Sequence, residues 1–141
     1  MMGITLTATN SKYDFDMSYG GFFNLRRNIA LALDKEFGEN YSLLNKCITL
    51  KQFEENDSNA NRIIEKNKLN ENYSEVLDFL YESDCEGKVN YKTCDKILNL
   101  ISNIDFGDKC FRYVAYSHND YEEFKEFLKD CYRYHKNMRW Y

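Results

Sequence analysis

The chain has 141 residues, a length that fits one domain. Hydrophobic residues make up 43% and charged residues 30%, proline is absent, and aromatic residues reach 16%, with 12 Tyr, 10 Phe and one Trp. This composition excludes collagen-like, proline-rich and mucin-like classes. It also argues against a disordered chain, because so many aromatic side chains can bury a large apolar surface.

The net charge of −4 is spread unevenly along the chain. Residues 1–50 hold five basic and five acidic side chains, residues 51–108 hold seven and thirteen, and residues 109–141 hold seven and five. Duplex nucleic-acid binders are far more basic, so that class is not expected. Five scattered cysteines without a secretory stretch before them predict reduced thiols and a cytoplasmic location. No apolar run is long enough to predict a membrane span.

The first predicted element in chain order is a strand over residues 4–9, where apolar residues alternate with Thr. Residues 10–16 form a loop or a second short strand, and a glycine turn follows at 18–21. The apolar spacing then predicts one helix over 22–37, with Gly38 as its C-cap.

The middle of the chain has a less regular pattern. Residues 39–52 suggest a helical turn followed by a strand, and the polar stretch 53–72 holds a short helix at 62–66. Apolar stripes predict two further helices, over 70–82 and 91–104.

The last part contains one ambiguous segment and one clear helix. Residues 110–116 form a strand or the start of a helix. The final helix begins at Asn119 or Asp120, and the tail 138–141 is predicted to pair with the first strand. We therefore predict an α+β fold, with several helices on a small antiparallel sheet in a single domain over residues 1–141; a mostly α-helical fold is the alternative.

The first candidate site is the segment Tyr19-Gly20-Gly21, which precedes Arg26 and Arg27. Two glycines allow close backbone approach, a helix N-terminus offers free N–H groups, and two arginines add bidentate phosphate contacts. The segment is neither a P-loop nor a dinucleotide fingerprint. The alternative is a tight turn whose arginines lie in solvent.

The second candidate is the acidic turn between two predicted helices. Glu82, Asp84 and Glu86 occupy the first oxygen-ligand positions of a calcium loop if Gly87 takes its sixth position, but Thr93 stands where the bidentate Glu belongs. The alternative is a helical corner in which Gly87 supplies a positive φ. A third interpretation makes Asp84 and Glu86 a recognition surface.

Two motifs together carry a resemblance to a family. The segment 13–26 contains a YGGF helix start, and 83–87 reads SDCEG ahead of Cys94, with an aromatic end at 140–141. In this layout the chain resembles a family of small bacterial and phage proteins of uncharacterised activity. The resemblance implies a layout over most of the chain and no function. Many members begin the second motif with His, and Glu82 stands in that place here.

Two features remain near the C-terminus. Cys131 and His135 lie one helical turn apart, a spacing that suits a nucleophilic or metal-binding pair, although a buried structural cysteine is the alternative. Aromatic and basic side chains also interleave there, as in partner interfaces, although packing in the core is again the alternative. The predicted recognition residues of this part are Tyr116, His118, Arg139, Trp140 and Tyr141.

The sequence shows no catalytic triad, metal cluster or cofactor fingerprint, so it predicts a non-enzymatic protein without cofactor or metal. We expect a bacterial, phage or mobile-element protein that binds a protein partner, for example as a host-defence or counter-defence inhibitor. The first alternative binds a nucleotide or another phosphorylated small molecule through Gly20, Gly21, Arg26 and Arg27. The second is a small acid–base or Cys–His hydrolase. The sequence leaves the oligomeric state open, with a homo-oligomer as one alternative.

Overall fold

The computed structural model describes residues 3–9, 11–102 and 118–141, with only the backbone of 118–121. In chain order the elements are β1 Gly3–Thr7, β2 Phe15–Ser18, α1 Tyr19–Leu33, α2 Lys35–Tyr41, a 3-10 turn Leu44–Lys46, α3 Leu50–Lys66, α4 Leu69–Asn72, α5 Ser74–Tyr81, β3 Gly87–Val89, α6 Tyr91–Ser102, α7 His118–Tyr134 and β4 Met138–Trp140.

The four strands form one antiparallel sheet in the order β2-β1-β4-β3. Leu6 of β1 stands opposite Phe15 on one side and Trp140 on the other. The backbones of Thr5 and Tyr141 also bond to each other in both directions, at 2.9 and 3.3 Å. The predicted pairing of the tail with the first strand is therefore confirmed.

The sheet has one buried and one polar face, because successive side chains in a strand point to opposite sides. Apolar residues of all four strands belong to one hydrophobic cluster with the helices: Ile4, Leu6, Phe15, Met17, Val89, Met138 and Trp140. On the other face, Thr5 and Thr7 donate hydrogen bonds to Asp16 and Asp14, each at 2.6 Å. The predicted α+β architecture is confirmed.

The predicted helix over 22–37 is in fact two helices that meet at Asp34. This residue has extended backbone angles (φ −164°, ψ 130°), and its carboxylate accepts the N–H of Phe37 at 2.9 Å. A carboxylate that caps the next helix in this way favours a break between two helices at that point.

The prediction of Gly38 as a C-cap is wrong as well. Gly38 lies inside α2, where a Cβ would stand 2.5 Å from the Cα of Leu31.

Helix α3 is much longer than the short helix predicted at 62–66. Thr49 and Gln52 form a complete capping box at its start. Only Asn56, Ala60 and Ile63 are buried along its 17 residues. Asn56 and Asn40 of α2 each donate a side-chain hydrogen bond to the backbone carbonyl of the other, at 2.9 and 3.2 Å, so the buried stripe is partly polar.

The later helices agree better with the apolar pattern. The helix expected over 70–82 is divided at Tyr73 into α4 and α5. The apolar stripe that predicts α6 is buried, with Cys94, Ile97, Leu98 and Ile101 in the core. Helix α7 buries Phe124, Phe127, Leu128 and Cys131. Residues 110–116 lie outside the described part. No helix within the described ranges is long and apolar enough to cross a membrane.

Candidate functional site

A groove of about 940 Å³ opens between α1, the end of α2, and the end of α5. Its volume lies within the range of known ligand sites. Five of the residues that line it are buried: Phe22, Asn24, Arg26, Tyr41 and Leu80. The other lining residues come from α1, the segment 42–46, α3, the end of α5 and the chain after it: Tyr19, Gly20, Phe23, Arg27, Ser42, Leu43, Leu44, Asn45, Lys46, Phe53, Tyr81, Glu82, Ser83 and Asp84.

Arg26 is a buried cation, and its side chain is only 5% exposed. Its guanidinium donates to the backbone carbonyls of Glu82 at 2.8 Å and Ser83 at 3.3 Å. The guanidinium carbon also lies 4.1 Å from the centre of the Phe22 ring, a cation–π geometry. Burial lowers the pKa of Arg26, although a guanidinium keeps its proton in proteins. Arg26 therefore fastens α1 to the turn after α5.

Two tyrosines and a phenylalanine form an aromatic wall beside this cation. The Phe23 and Tyr41 rings are stacked with centres 5.5 Å apart, and the Tyr41 hydroxyl donates to the Leu80 carbonyl at 2.7 Å. Burial raises the pKa of Tyr41, so the hydroxyl is a neutral donor. Burial, with the charge of Asp57, raises the pKa of the half-exposed Tyr81 to about 12.

Arg27 differs from Arg26 because its side chain is only half-buried. It donates to the Asn24 side-chain carbonyl. Within the described residues, the Nε of each arginine has no hydrogen-bond partner, and neither arginine has a carboxylate oxygen within 4.0 Å. Two cations that lack a close counter-ion therefore line one groove.

An apolar ridge lies next to the groove, formed by Leu43, Ile48, Leu50 and Phe53. These side chains are 48%, 88%, 74% and 45% exposed. Leu43 and Phe53 also line the groove, as does the half-exposed Tyr81. Of the eight large hydrophobic side chains that are exposed in the described ranges, five thus belong to the ridge or the groove. Sequence analysis missed this surface, although unperiodic apolar residues in 43–53 were a signal for it.

The structure divides the residues of the predicted phosphate cradle between different environments. Both glycines lie in the first turn of α1, and the Ser18 hydroxyl already accepts the N–H of Gly21 at 3.0 Å. Arg26 is turned inward onto carbonyl groups and aromatic rings. The structure nevertheless brings Tyr19, Gly20 and Arg27 to the groove.

The acidic turn is a structural corner rather than a calcium loop. Asp84 and Glu86 are exposed, and the Glu82 carboxylate accepts the N–H of Lys88 at 3.4 Å. In the part of the chain that the structure describes, no three metal-ligating side chains come together. The expected positive φ at Gly87 is wrong too, because Gly87 begins strand β3.

Among the predicted recognition residues whose side chains the structure describes, only Asp84 lines the groove. Beside it, the Cys85 side chain raises the pKa of Tyr19 through its charge and a hydrogen bond. Asp84 and Tyr19 therefore lie close together in the lining of the groove.

The C-terminal recognition surface is only partly exposed. Trp140 is 1% exposed, and its indole N–H donates to the Ser83 carbonyl at 3.0 Å, so its prediction as a surface residue is wrong. Arg139 and Tyr141 are exposed. Tyr116 and the side chain of His118 lie outside the described residues.

The Cys131–His135 pair is not assembled for chemistry. Cys131 is fully buried, and a hydrogen bond with Cys94, together with burial, raises the pKa of its thiol. His135 lies beyond the end of α7 with a φ of 53°, and its ring stacks on Tyr91 at 4.7 Å. The Lys136 N–H bonds back to the Cys131 carbonyl at 3.0 Å, which closes the helix in a Schellman motif.

No family model, no curated protein and no solved structure matches this chain. The resemblance based on the YGGF and SDCEG motifs therefore stays a prediction.

Proposed function

We propose that this protein binds a protein partner through the groove and the apolar ridge beside it. The observation that carries the proposal is the exposure of the ridge, where Ile48 and Leu50 are 88% and 74% exposed. Several exposed large apolar side chains within one short segment, here residues 43–53, favour an interaction site on a soluble protein. Burying one such side chain in an interface contributes about 1.5–3 kcal/mol.

The ridge is also held in place before any partner arrives. The Gln52 side-chain oxygen accepts the backbone N–H groups of Ile48 and Thr49, at 2.6 and 3.0 Å, and the Thr49 hydroxyl accepts the N–H of Gln52 at 3.2 Å. Leu50 and Phe53 then stand on the first turn of α3. A preorganised surface loses less conformational entropy on binding, which favours affinity.

Two half-exposed aromatic residues provide a matched test of this surface. Phe53 on the ridge and Tyr132 on α7 are 45% and 46% exposed. Tagged wild-type, Phe53→Asp and Tyr132→Asp proteins are expressed in the source cells, and co-purified proteins are quantified with isotope labels. The partner is then purified and its Kd measured. We expect Phe53→Asp to weaken binding at least tenfold and Tyr132→Asp to leave it within about twofold.

Circular dichroism and thermal unfolding check that both variants fold. Equal binding by the wild type and Phe53→Asp would count against the proposal, as would a complex that contains only a second copy of the chain. The prediction that this protein is a host-defence or counter-defence inhibitor is tested by the same identification.

A phosphorylated small molecule is the second candidate, supported by the groove volume and by Arg27 and Lys46 beside aromatic rings. Thermal-shift measurements with nucleotides at millimolar concentration test it, because a bound ligand raises Tm. For this candidate we expect a rise in Tm for the wild type that Arg27→Gln abolishes. The absence of any rise would reject it.

A further inference from the structure

We infer that the partner segment held in the groove presents a carboxylate to Arg27, above the buried charge of Arg26, while its apolar side chains cover the ridge. This inference rests on the proposed function and adds the chemistry of the partner. The occupant of the groove is a peptide segment of a protein, because a small molecule confined to the groove would leave Ile48 and Leu50 in solvent.

Arg26 places a buried positive charge in the wall of the groove. Its side chain is 5% exposed, and in the described structure it donates to two carbonyl oxygens and lies over aromatic rings. No carboxylate oxygen of the described residues is within 4.0 Å of it, although the charges of Glu82 and Asp84 act on it from a greater distance. A buried charge is weakly screened, and its attraction for an opposite charge exceeds that of a solvated one. Arg26 therefore adds to the attraction of the groove for an anion, and Glu82 and Asp84 offset part of that attraction.

Arg27 leaves most of its hydrogen-bond donors unused. Its guanidinium makes one hydrogen bond within the described residues, through Nη2 to Asn24. A guanidinium carries five N–H donors in a planar fork that matches a carboxylate. Because the side chain is half-buried at the groove, a carboxylate that enters the groove can form a charge-assisted pair with it.

Two acidic residues face the same groove. Glu82 and Asp84 line it, and Asp84 lies beside Tyr19 at the start of α1. Arg27 is eight residues further along α1 than Tyr19, which corresponds to about 12 Å along the helix axis. Asp84 therefore repels a carboxylate near Tyr19, which favours pairing of that carboxylate with Arg27.

Aromatic rings complete the site. Phe23 lies one helical turn before Arg27 and so shares its face of α1. Its ring and those of Tyr41 and Tyr81 line the groove. These rings suit an apolar side chain of the partner next to the carboxylate.

The test uses a displayed library of random linear peptides as the probe. Peptides are first selected for binding to the wild-type protein. Those that also bind the Ile48→Asp variant are then removed, so that the remaining peptides need the ridge for binding. We expect these peptides to share Asp or Glu beside apolar residues. Replacing that acid by its amide in a synthetic peptide should weaken wild-type binding about tenfold or more.

Two protein variants show whether Arg27 receives the carboxylate. In Arg27→Gln the acid and amide peptides should bind equally, whereas in Lys35→Gln the full difference should persist. Lys35 is exposed at the start of α2 and does not line the groove, so this control removes the same charge elsewhere.

The outcomes separate this inference from the proposed function. Ridge-dependent peptides that lack an acid, or an acid-to-amide difference that survives Arg27→Gln, would overturn the inference and leave protein binding standing. If no ridge-dependent peptide is enriched, both are rejected. A groove that binds acetate or nucleotides through Arg27 but no peptide also rejects the inference.

Discussion

Gly87 and Trp140 stand opposite each other in strands β3 and β4, and the indole ring fills the space that a side chain at position 87 would need. A Cβ at Gly87 would lie 2.2 Å from Cζ2 of Trp140. The same indole donates to Ser83 and packs against Phe22 and Phe79. The glycine of the SDCEG motif is therefore required for close approach, and the tryptophan belongs to the core.

Replacing Gly87 by Ala should destabilise the protein by about 1–3 kcal/mol, because the methyl group forces the Trp140 ring out of its place. Gly20→Ala is the control, since a Cβ there meets only the Ser18 hydroxyl at 3.9 Å. In the first turn of α1 it should be neutral or stabilising by about 0.4–1 kcal/mol. Urea unfolding measures both, and a Gly87→Ala protein as stable as the wild type would contradict the assignment.

Removing the carboxylate at the joint between α1 and α2 should weaken that joint. Asp34→Ala loses the cap on Phe37 and a hydrogen bond from Asn67 at 3.1 Å, with an expected cost of about 0.5–2 kcal/mol. Glu39→Ala removes an exposed carboxylate of the same helix and should change stability by less than about 0.5 kcal/mol. Equal denaturation midpoints for the two variants would show that Asp34 does not stabilise the break.

The two neighbouring arginines should respond differently to the same change. Arg26→Lys keeps the charge but cannot reach both carbonyls in a fork, so a loss of about 1.5–3 kcal/mol is expected. Arg27→Lys should be nearly neutral in stability. Thermal and urea unfolding compare the two variants. A larger loss of stability for Arg27→Lys than for Arg26→Lys would show that Arg27, and not Arg26, is the arginine that fastens α1.

Stability should fall at alkaline pH partly through Tyr81. Its folded-state pKa is raised to about 12, against about 10 in an unfolded chain, so ionisation favours unfolding as pH rises through this window. The contribution is fully present below pH 10 and is lost toward pH 12. Measured between pH 9 and 12, the Tm of Tyr81→Phe should decline less steeply than that of the wild type. Parallel curves would show that Tyr81 does not titrate as described.

Periodic apolar residues allowed most helices and the pairing of the first strand with the tail to be predicted, whereas strand β3 was not predicted because its three residues lie in what reads as a turn. Cys94, Ile97 and Ile101 define the buried stripe of α6 by spacing alone. The break at Asp34 was missed because apolar residues continue across it at helical spacing. Helix α3 was missed because Asn56 and Ala60 occupy its buried stripe and give no apolar signal, although the Thr49–Gln52 capping box was readable.

The site was harder to predict than the fold, for a reason that Arg26 and Arg27 illustrate. Adjacent residues on a helix point about 100° apart, so one arginine turns into the core and the other toward the groove. The sequence has arginine at both positions and does not indicate which of the two side chains is buried. Trp140 was placed on the surface for a similar reason, since composition does not reveal which face of β4 meets the helices.

Site-specific photo-crosslinking in the source cells shows directly whether a protein partner covers the ridge. A benzophenone amino acid replaces either Ile48 on the ridge or Tyr132 on α7, and the adducts are compared after illumination. We expect one defined heterologous adduct from position 48 that is absent from position 132 and disappears when Phe53→Asp is added. Equal adducts from both positions, or none from position 48, would contradict the account of the ridge as a protein-binding surface.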